Sequence, residues 1–253
     1  MEKEKHSGRG VTFLFLGFLG VLSLLSIVTP QKAFSDSENR YLQKKPEFSV
    51  KSLLNGSYGE KYEKYLSDQF PGRNVWIGMK VTTERLALQE DVNGVYFGKD
   101  GYLIEKFDTE DLEGEQLNKN IGKLAAFTGA AEKSLGKDHV RVMLVPSASQ
   151  IMTERLPFLA APYDQGRVTG MLCRSLKEAG GSRETVLPAE EYLKRYREEA
   201  LYYRTDHHWT ARGAYLGYRL WVESVGLTPW TEAMFDIQTV NSEFHGTVYS
   251  NLN

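Results

Sequence analysis

Between Val11 and Thr29 the chain reads VTFLFLGFLGVLSLLSIVT, without one charged residue. A helix of about 20 apolar residues crosses the hydrocarbon core of a bilayer. A run of this kind at the extreme N-terminus leaves few options for how that end folds. A cleavable signal peptide has a shorter apolar core, so an uncleaved signal anchor is the expectation. Secretion after cleavage near Ser35, at the small-residue triplet Ala33-Phe34-Ser35, is the alternative. Lys3, Lys5 and Arg9 precede the span. The positive-inside rule keeps them in the cytoplasm and puts everything from about Pro30 onward outside.

The chain as a whole is 41% hydrophobic and 25% charged, enough apolar material for a full core. A formal charge of -2, with no block of Lys and Arg, argues against a nucleic-acid partner. The single cysteine, Cys173, excludes an intramolecular disulfide and reads as a small hydrophobe of an amphipathic helix. Residues 30–57 are polar and read as a membrane-proximal linker with little regular structure. The expected organisation is therefore a tip and anchor over 1–29, a linker over 30–57 and one extracytoplasmic domain over 58–253. The closing FHGTVYSNLN does not read as a domain boundary, so that domain is expected to be cut short at its C-terminus.

Periodicity supplies the elements of that domain. Tyr58, Tyr62, Tyr65 and Leu66 recur at helical spacing, and Pro71 stops that helix. A second helix is expected from about Arg73 to Gln89. Val95–Phe97 and Tyr102–Ile104 flank GKDG as a hairpin, with Asp100-Gly101 in the turn. A helix is expected from Leu117 to Leu135, then a buried strand over His139–Pro146, a helix over Gly166–Ala179 and a short strand at Thr185–Leu187. Pro188 opens a helix over AEEYLKRYREEA. LYYRT follows as a strand, and a last helix runs from Ala211 to Val225 between its N-cap Thr210 and its stop Gly226. Strand and helix alternate from about residue 115, which predicts an α/β three-layer fold with a mostly parallel sheet.

The chemistry is expected at Asp206-His207-His208-Trp209, where two of the five histidines stand together behind an aspartate. In an extended segment residues two apart share a face, so Asp206 and His208 pair while His207 points elsewhere. A carboxylate beside an imidazole is the orienting half of a hydrolytic triad: it fixes the tautomer and stabilises the imidazolium. Trp209 would wall such a site. Two other readings stay open from spacing alone. The pair can cap a helix or satisfy buried backbone groups, and Asp with His can hold a metal. DHH is also a signature of manganese phosphoesterases, but the Asp-rich motifs those enzymes need upstream are absent.

Four segments together resemble the DHHW protein family of Gram-positive bacteria: FSDSENRYL, YLSDQFPGRNVWI, GVYFGKDGYL and YYRTDHHWTARGAY, spread over residues 34–220. That family is similar in turn to the bacterial alginate O-acetyltransferases of the SGNH hydrolase superfamily, whose Asp-x-His-Trp segment carries a catalytic Asp and His. The resemblance implies an SGNH-like fold, Asp206 as orienting carboxylate, His208 as general base and His207 at a variable intervening position. In the alginate enzymes the serine nucleophile follows later, in a Gly-x-Ser-like turn. Ser224, Ser242 and Ser250 have no such turn, and Ser147 and Ser149 are the in-chain serines with strand-end placement. The expectation is an acyl, most simply acetyl, transferase or esterase of a cell-envelope glycan, with no metal and no organic cofactor. Its partners would be an envelope polysaccharide or an acyl-donor membrane protein. The rival class is a non-catalytic envelope protein that binds glycan or protein.

Overall fold

The computed structural model describes residues 2–35, 38, 40–242 and 244–252. The chain divides into two compact units, one up to Thr83 and one over Glu84–Leu252. Helices expected to open the domain at residue 58 thus group with the residues before them.

The first unit begins with helix α1, Glu2–Val28. Its segment Arg9–Val28 is long and apolar enough to cross a membrane, and none of its residues is buried. The segment after it is more ordered than its polarity suggests. Strands β1 (Phe34–Ser35) and β2 (Arg40–Tyr41) pair antiparallel, and α2 (Val50–Leu54) starts at the N-cap Ser49. Helices α3 (Ser57–Asp68) and α4 (Arg73–Leu86) follow on either side of the expected break at Pro71. What orders the linker is Asp68, a buried carboxylate at the end of α3. It accepts from Arg40 Nη2 at 2.7 Å, from Arg40 Nη1 at 3.1 Å and from the Gln43 N–H at 2.7 Å. Gln69 adds a second clasp, accepting from the Lys32 N–H at 3.0 Å and donating to the Lys32 carbonyl at 2.9 Å. A polar segment can be ordered when charge-assisted bonds of this kind replace an apolar stripe, which periodicity cannot detect.

The second unit opens with a three-stranded antiparallel meander: β3 (Asp91–Val92), β4 (Val95–Phe97) and β5 (Leu103–Glu105). The expected hairpin is β4–β5. The strand β3 was not anticipated, although Asn93-Gly94 marks its turn: both residues have positive φ, the conformation a two-residue hairpin turn requires. After the short α5 (Thr109–Leu112), α6 (Glu115–Leu135) runs to Gly136 and packs against α8 (Gly166–Glu178). Ile121, Ala125, Leu172 and Leu176 form the core between them. The short α7 (Ala148–Ile151) and α9 (Ala189–Lys194), with α10 (Ala211–Ser224), enclose a larger core around Ile151, Met152, Leu193, Leu201 and Leu216. Helix α9 stops well short of Ala200, in a series of turns. The last element is α11, Thr247–Asn251.

The mostly parallel sheet expected from the alternation is not present among the described residues, whose sheets are small and antiparallel. One parallel rung remains where it was expected, between Val142 and Val186. The Val142 N–H donates to Thr185 O and the Leu187 N–H to Val142 O, both at 2.8 Å. The ladder cannot lengthen here. The next donor in register, the Ala189 N–H, turns to the Leu187 carbonyl at 2.9 Å as α9 begins, and a helical turn over Arg183–Thr185 precedes. LYYRT is likewise not a strand but one arm of a loop, bridged antiparallel at Tyr202 and Trp209.

That loop is seated on α10 by small residues. Thr210 caps the helix, its Oγ1 accepting from the Gly213 N–H at 3.2 Å. A Cβ on Gly213 would lie 2.4 Å from the Leu201 carbonyl oxygen, and one on Gly217 would lie 2.8 Å from the Trp209 ring. Alanine in a helix interior gains roughly 1 kcal/mol over glycine. At Gly213 the clash with backbone outweighs that gain, so Gly213→Ala is expected to lose about 1–2 kcal/mol net. Gly122→Ala in α6, where nothing lies within 4 Å, is expected to gain stability. Thermal melts of both variants check this; a Gly213→Ala protein as stable as its parent would contradict the packing described.

Candidate active site

Residues Arg204–His208 form a tight loop rather than an extended segment. Its base is closed by the Tyr203 N–H donating to His208 O at 3.2 Å and the Thr210 N–H to Leu201 O at 2.8 Å. The meander holds one side, the Leu103 N–H of β5 donating to Arg204 O at 2.7 Å. The start of α11 holds the other. The Tyr249 N–H donates to Thr205 O at 3.1 Å, and the Gly246 N–H donates to Thr205 Oγ1 at 3.2 Å.

At the centre of this loop Asp206 is buried and accepts four hydrogen bonds. Oδ1 takes the His208 N–H at 2.8 Å and His208 Nδ1 at 2.6 Å. Oδ2 takes the Thr247 N–H at 2.8 Å and the Thr247 hydroxyl at 3.0 Å. Gly246 is needed for this approach, since a Cβ there would come within 2.3 Å of Asp206 Oδ2. Burial pushes the Asp206 carboxyl up, but the hydrogen bonds from Thr247 and His208 outweigh it and hold the group well below the usual carboxylate range. The pairing of Asp206 with His208 is therefore present, at a distance that fixes the His208 proton on Nδ1 and leaves Nε2 as the free nitrogen. It arises from a curled loop, with the aspartate closing onto the histidine's own backbone. The helix-capping reading of the aspartate also has a counterpart here, because Oδ2 caps the first turn of α11.

His207 does not point away. The loop turns it alongside His208, ring centroids 4.0 Å apart and planes at 34°. Its Nδ1 lies 2.8 Å from Thr247 Oγ1 and 3.8 Å from Glu105 Oε1. Both imidazoles and Trp209 line one cleft of about 620 Å³. Its walls include Leu144, Pro146 and Val168 with Tyr163 and Tyr202, mostly apolar surface beside a few polar groups, as ligand sites commonly are. His208 is the more open of the pair, with 66% of its side chain exposed. Tyr202 is spent structurally: its hydroxyl donates to Pro146 O at 2.5 Å, and burial pushes its ionisation up.

Of the two strand-end serines, Ser147 lines this cleft and Ser149 is buried. Their hydroxyls lie 2.9 Å apart, and Gln165 Nε2 donates to Ser147 Oγ at 2.5 Å. Neither is bonded to His208. Ser147 precedes α7 without its side chain capping it. Thr247, Gly246 and Glu105 are site residues that the sequence reading passed over. Asp206, His207 and His208 also offer donor atoms within 4.8 Å of one another, which adjacent residues of a strand could not. A metal would nonetheless have to displace existing bonds. A carboxylate has about four acceptor positions, and Asp206 already uses four, while both imidazoles spend Nδ1 internally.

Residues 95–246, more than half of the chain, match the family described as an SGNH hydrolase-like domain, acetyltransferase AlgX. The probable alginate O-acetylase AlgJ of Pseudomonas aeruginosa is 28% identical over 188 residues, which cover 68% of this chain and 44% of that protein. The O-acetyltransferase domain of AlgJ from Pseudomonas putida superposes with a TM-score of 0.41 at 19% identity, covering 53% of this chain and 47% of that one. The chain thus spans less than half the length of the curated relative it matches.

The depressed Asp206 ionisation makes a stability prediction. A carboxyl lowered on folding stabilises the native state above its unfolded value of about 3.9, and that contribution is lost as pH falls through the lower folded value. Asp206→Asn is therefore expected to cost about 2 kcal/mol or more at pH 7, the scale of one charge-assisted bond. The gap to the parent should stay constant down to about pH 4 and narrow below it. Denaturant melts from pH 7 to pH 3 measure it; a gap independent of pH would contradict an ionised, bonded Asp206.

Proposed function

This chain belongs to the AlgX family of SGNH hydrolase-like acetyltransferase domains, and from that premise we propose that it moves an acetyl group onto or off a hydroxyl of a cell-envelope glycan. His208 is the general base and Asp206 the carboxylate that orients it. The observation that carries this reading is the 2.6 Å bond between Asp206 Oδ1 and His208 Nδ1, with His208 open to the cleft.

The chemistry follows from that geometry. With its proton on Nδ1, His208, which lines the cleft, keeps a lone pair on Nε2. A serine hydroxyl meeting Nε2 gives up its proton as its oxygen attacks the acetyl carbonyl. The donor's oxygen then leaves with the proton returned by His208, and an acetyl-serine remains. In the second half Nε2 takes a proton from a glycan hydroxyl, or from water in an esterase, and the serine is released. Asp206 stays ionised throughout and stabilises the imidazolium that forms each time. In the alginate enzymes that the sequence resembles, the serine lies C-terminal to the Asp-x-His segment. Ser147, tied to Ser149 and Gln165, is the weaker candidate.

The setting is membrane-anchored and extracytoplasmic. The uncovered apolar segment Arg9–Val28 supports it, with Lys3, Lys5 and Arg9 on its cytoplasmic flank. An envelope polysaccharide as acceptor and a membrane protein as acyl donor fit that placement. The capping of α11 by Asp206 favours a second reading, in which the pair is scaffold and the protein binds glycan or protein without catalysis.

Two experiments test these proposals. In the full-length protein, His208→Ala and Asp206→Asn are each expected to lower acetyl transfer from a chromogenic acetyl ester by about 10³–10⁴-fold. Transfer retained in His208→Ala would leave the binding-protein reading. One zinc or manganese per chain by elemental analysis, lost in His208→Ala, would replace acyl transfer by metal chemistry. For topology, a tag placed after Ser35 is expected to be digested by protease on intact cells while the protein stays in the membrane fraction. Recovery in the cytosol would refute the anchor, and release into the medium would mean cleavage.

A further inference from the structure

Glu105 takes no part in the mechanism above, yet β5 delivers it to the same cleft as His208. Its carboxylate stands 3.8 Å from His207 Nδ1, and the His207 ring is in contact with that of His208. An acceptor held against His208 therefore shares the cleft with this negative charge. The second carboxylate of the lining, Glu190 of α9, is already matched. It accepts from Lys194 Nζ at 2.6 Å and from Gln150 Nε2 at 2.7 Å. Among the described residues no lysine or arginine lines the cleft. The cations that flank its residues in the chain are turned to other partners. Lys106 bonds Asp91 at 3.1 Å, Arg167 bonds Glu113 at 2.8 Å, and Arg204 lies 5.9 Å from the centroid of the Tyr102 ring. Much of the remaining wall is apolar or aromatic, including Phe107, Leu144, Val145, Val168 and Trp209.

We propose that the acceptor at this site is an uncharged glycan, and that Glu105 is the residue that turns away a polyuronate such as alginate. What happens to the acceptor rests on the acetyl-transfer reading above; the charge preference belongs to the cleft itself. A uronate is opposed here in three ways. Its carboxylate meets a like charge in Glu105, and apolar walls screen that repulsion less than open water does. Its own hydration is lost against Leu144, Val145 and Val168, with no cation of the lining to replace it. Carboxylates are ordinarily gripped by arginine or lysine, and a general base acts with its nitrogen unprotonated, so His208 supplies no such grip. A neutral pyranose escapes all three. Its C–H faces stack on a ring such as Trp209, and its hydroxyls donate to a carboxylate, which offers about four acceptor positions. Glu105 thus changes from obstacle to ligand with the charge of the sugar.

The test uses one oligosaccharide in two forms, a uronate oligomer and the same oligomer with its carboxylates methyl-esterified, so that backbone and linkage are held constant. Binding of each to the full chain in detergent micelles is measured by titration calorimetry at pH 8. At low salt the ester is expected to bind about tenfold more tightly than the uronate, or better. Raising the salt from about 0.01 M to about 0.15 M shortens the Debye length from about 30 Å to about 8 Å. Uronate binding should tighten across that range while ester binding stays level. Glu105→Gln, nearly the same shape without the charge, should narrow the gap between the two forms to about threefold or less. Should that variant fail to fold, the salt dependence of the parent decides. A uronate that binds as tightly as its ester, or that loosens as salt rises, would overturn the proposal. So would a gap unchanged in Glu105→Gln, or no binding of either form in the millimolar range. The titration needs no reaction, so failure of the acetyl-transfer reading is seen separately, in the activity of His208→Ala.

Discussion

Asp206 is a charge withdrawn from water, and the second unit is built to make that tolerable. A buried carboxylate without partners costs several kcal/mol. Here four donors meet it, two from His208 and two from Thr247. Meeting them requires the loop to curl onto itself, β5 to anchor Arg204, and α11 to arrive from 41 residues further along. Gly246 carries no side chain because the carboxylate occupies that space. The same bonds that satisfy the charge also set the tautomer of His208. Stability and chemistry at this site are consequences of one electrostatic problem.

Much of this was legible in the residues and some was legible for an incorrect reason. Helices α3, α4, α6, α8 and α10 follow from apolar spacing with Pro71, Gly136 and Thr210 as punctuation. The partnership of Asp206 with His208 was reached by assuming an extended segment with alternating faces. The loop brings the two together by local curvature, and the same curvature turns His207 into the cleft where alternation would have turned it out. Thr247 could not be found this way at all. Nothing local in GTVYS marks a hydroxyl as partner to a residue 41 positions earlier, because contact across such a distance is set by topology. The parallel sheet was over-read from alternation of short apolar runs. Alternation gives the order of elements, whereas a ladder also needs alternate N–H groups free for one neighbour, and here the Ala189 N–H has turned to the Leu187 carbonyl as α9 begins.

The first unit repeats the same logic on a smaller scale. Asp68 gathers Arg40 and the Gln43 N–H, and Arg73 reaches Glu38. Two of the four motif segments that carried the family resemblance, FSDSENRYL and YLSDQFPGR, therefore clasp one another. Polar composition suggested a linker; paired charge made an ordered one.

The long reach from Thr205 to Thr247 has a further meaning for how the protein is made. Residues between Gly226 and Gly246 are largely exposed, Val240 almost completely, and closing a loop of this length costs chain entropy that only its terminal contacts repay. During synthesis the loop with His208 leaves the ribosome first and waits for Gly246 and Thr247 to follow. Until they do, Asp206 lacks half of its partners. The site is thus completed only after that exposed connection has been made, and a nick anywhere in the connection breaks the covalent link to the groups that hold its carboxylate. Integrity of the backbone is in this way written into the protonation of a single side chain.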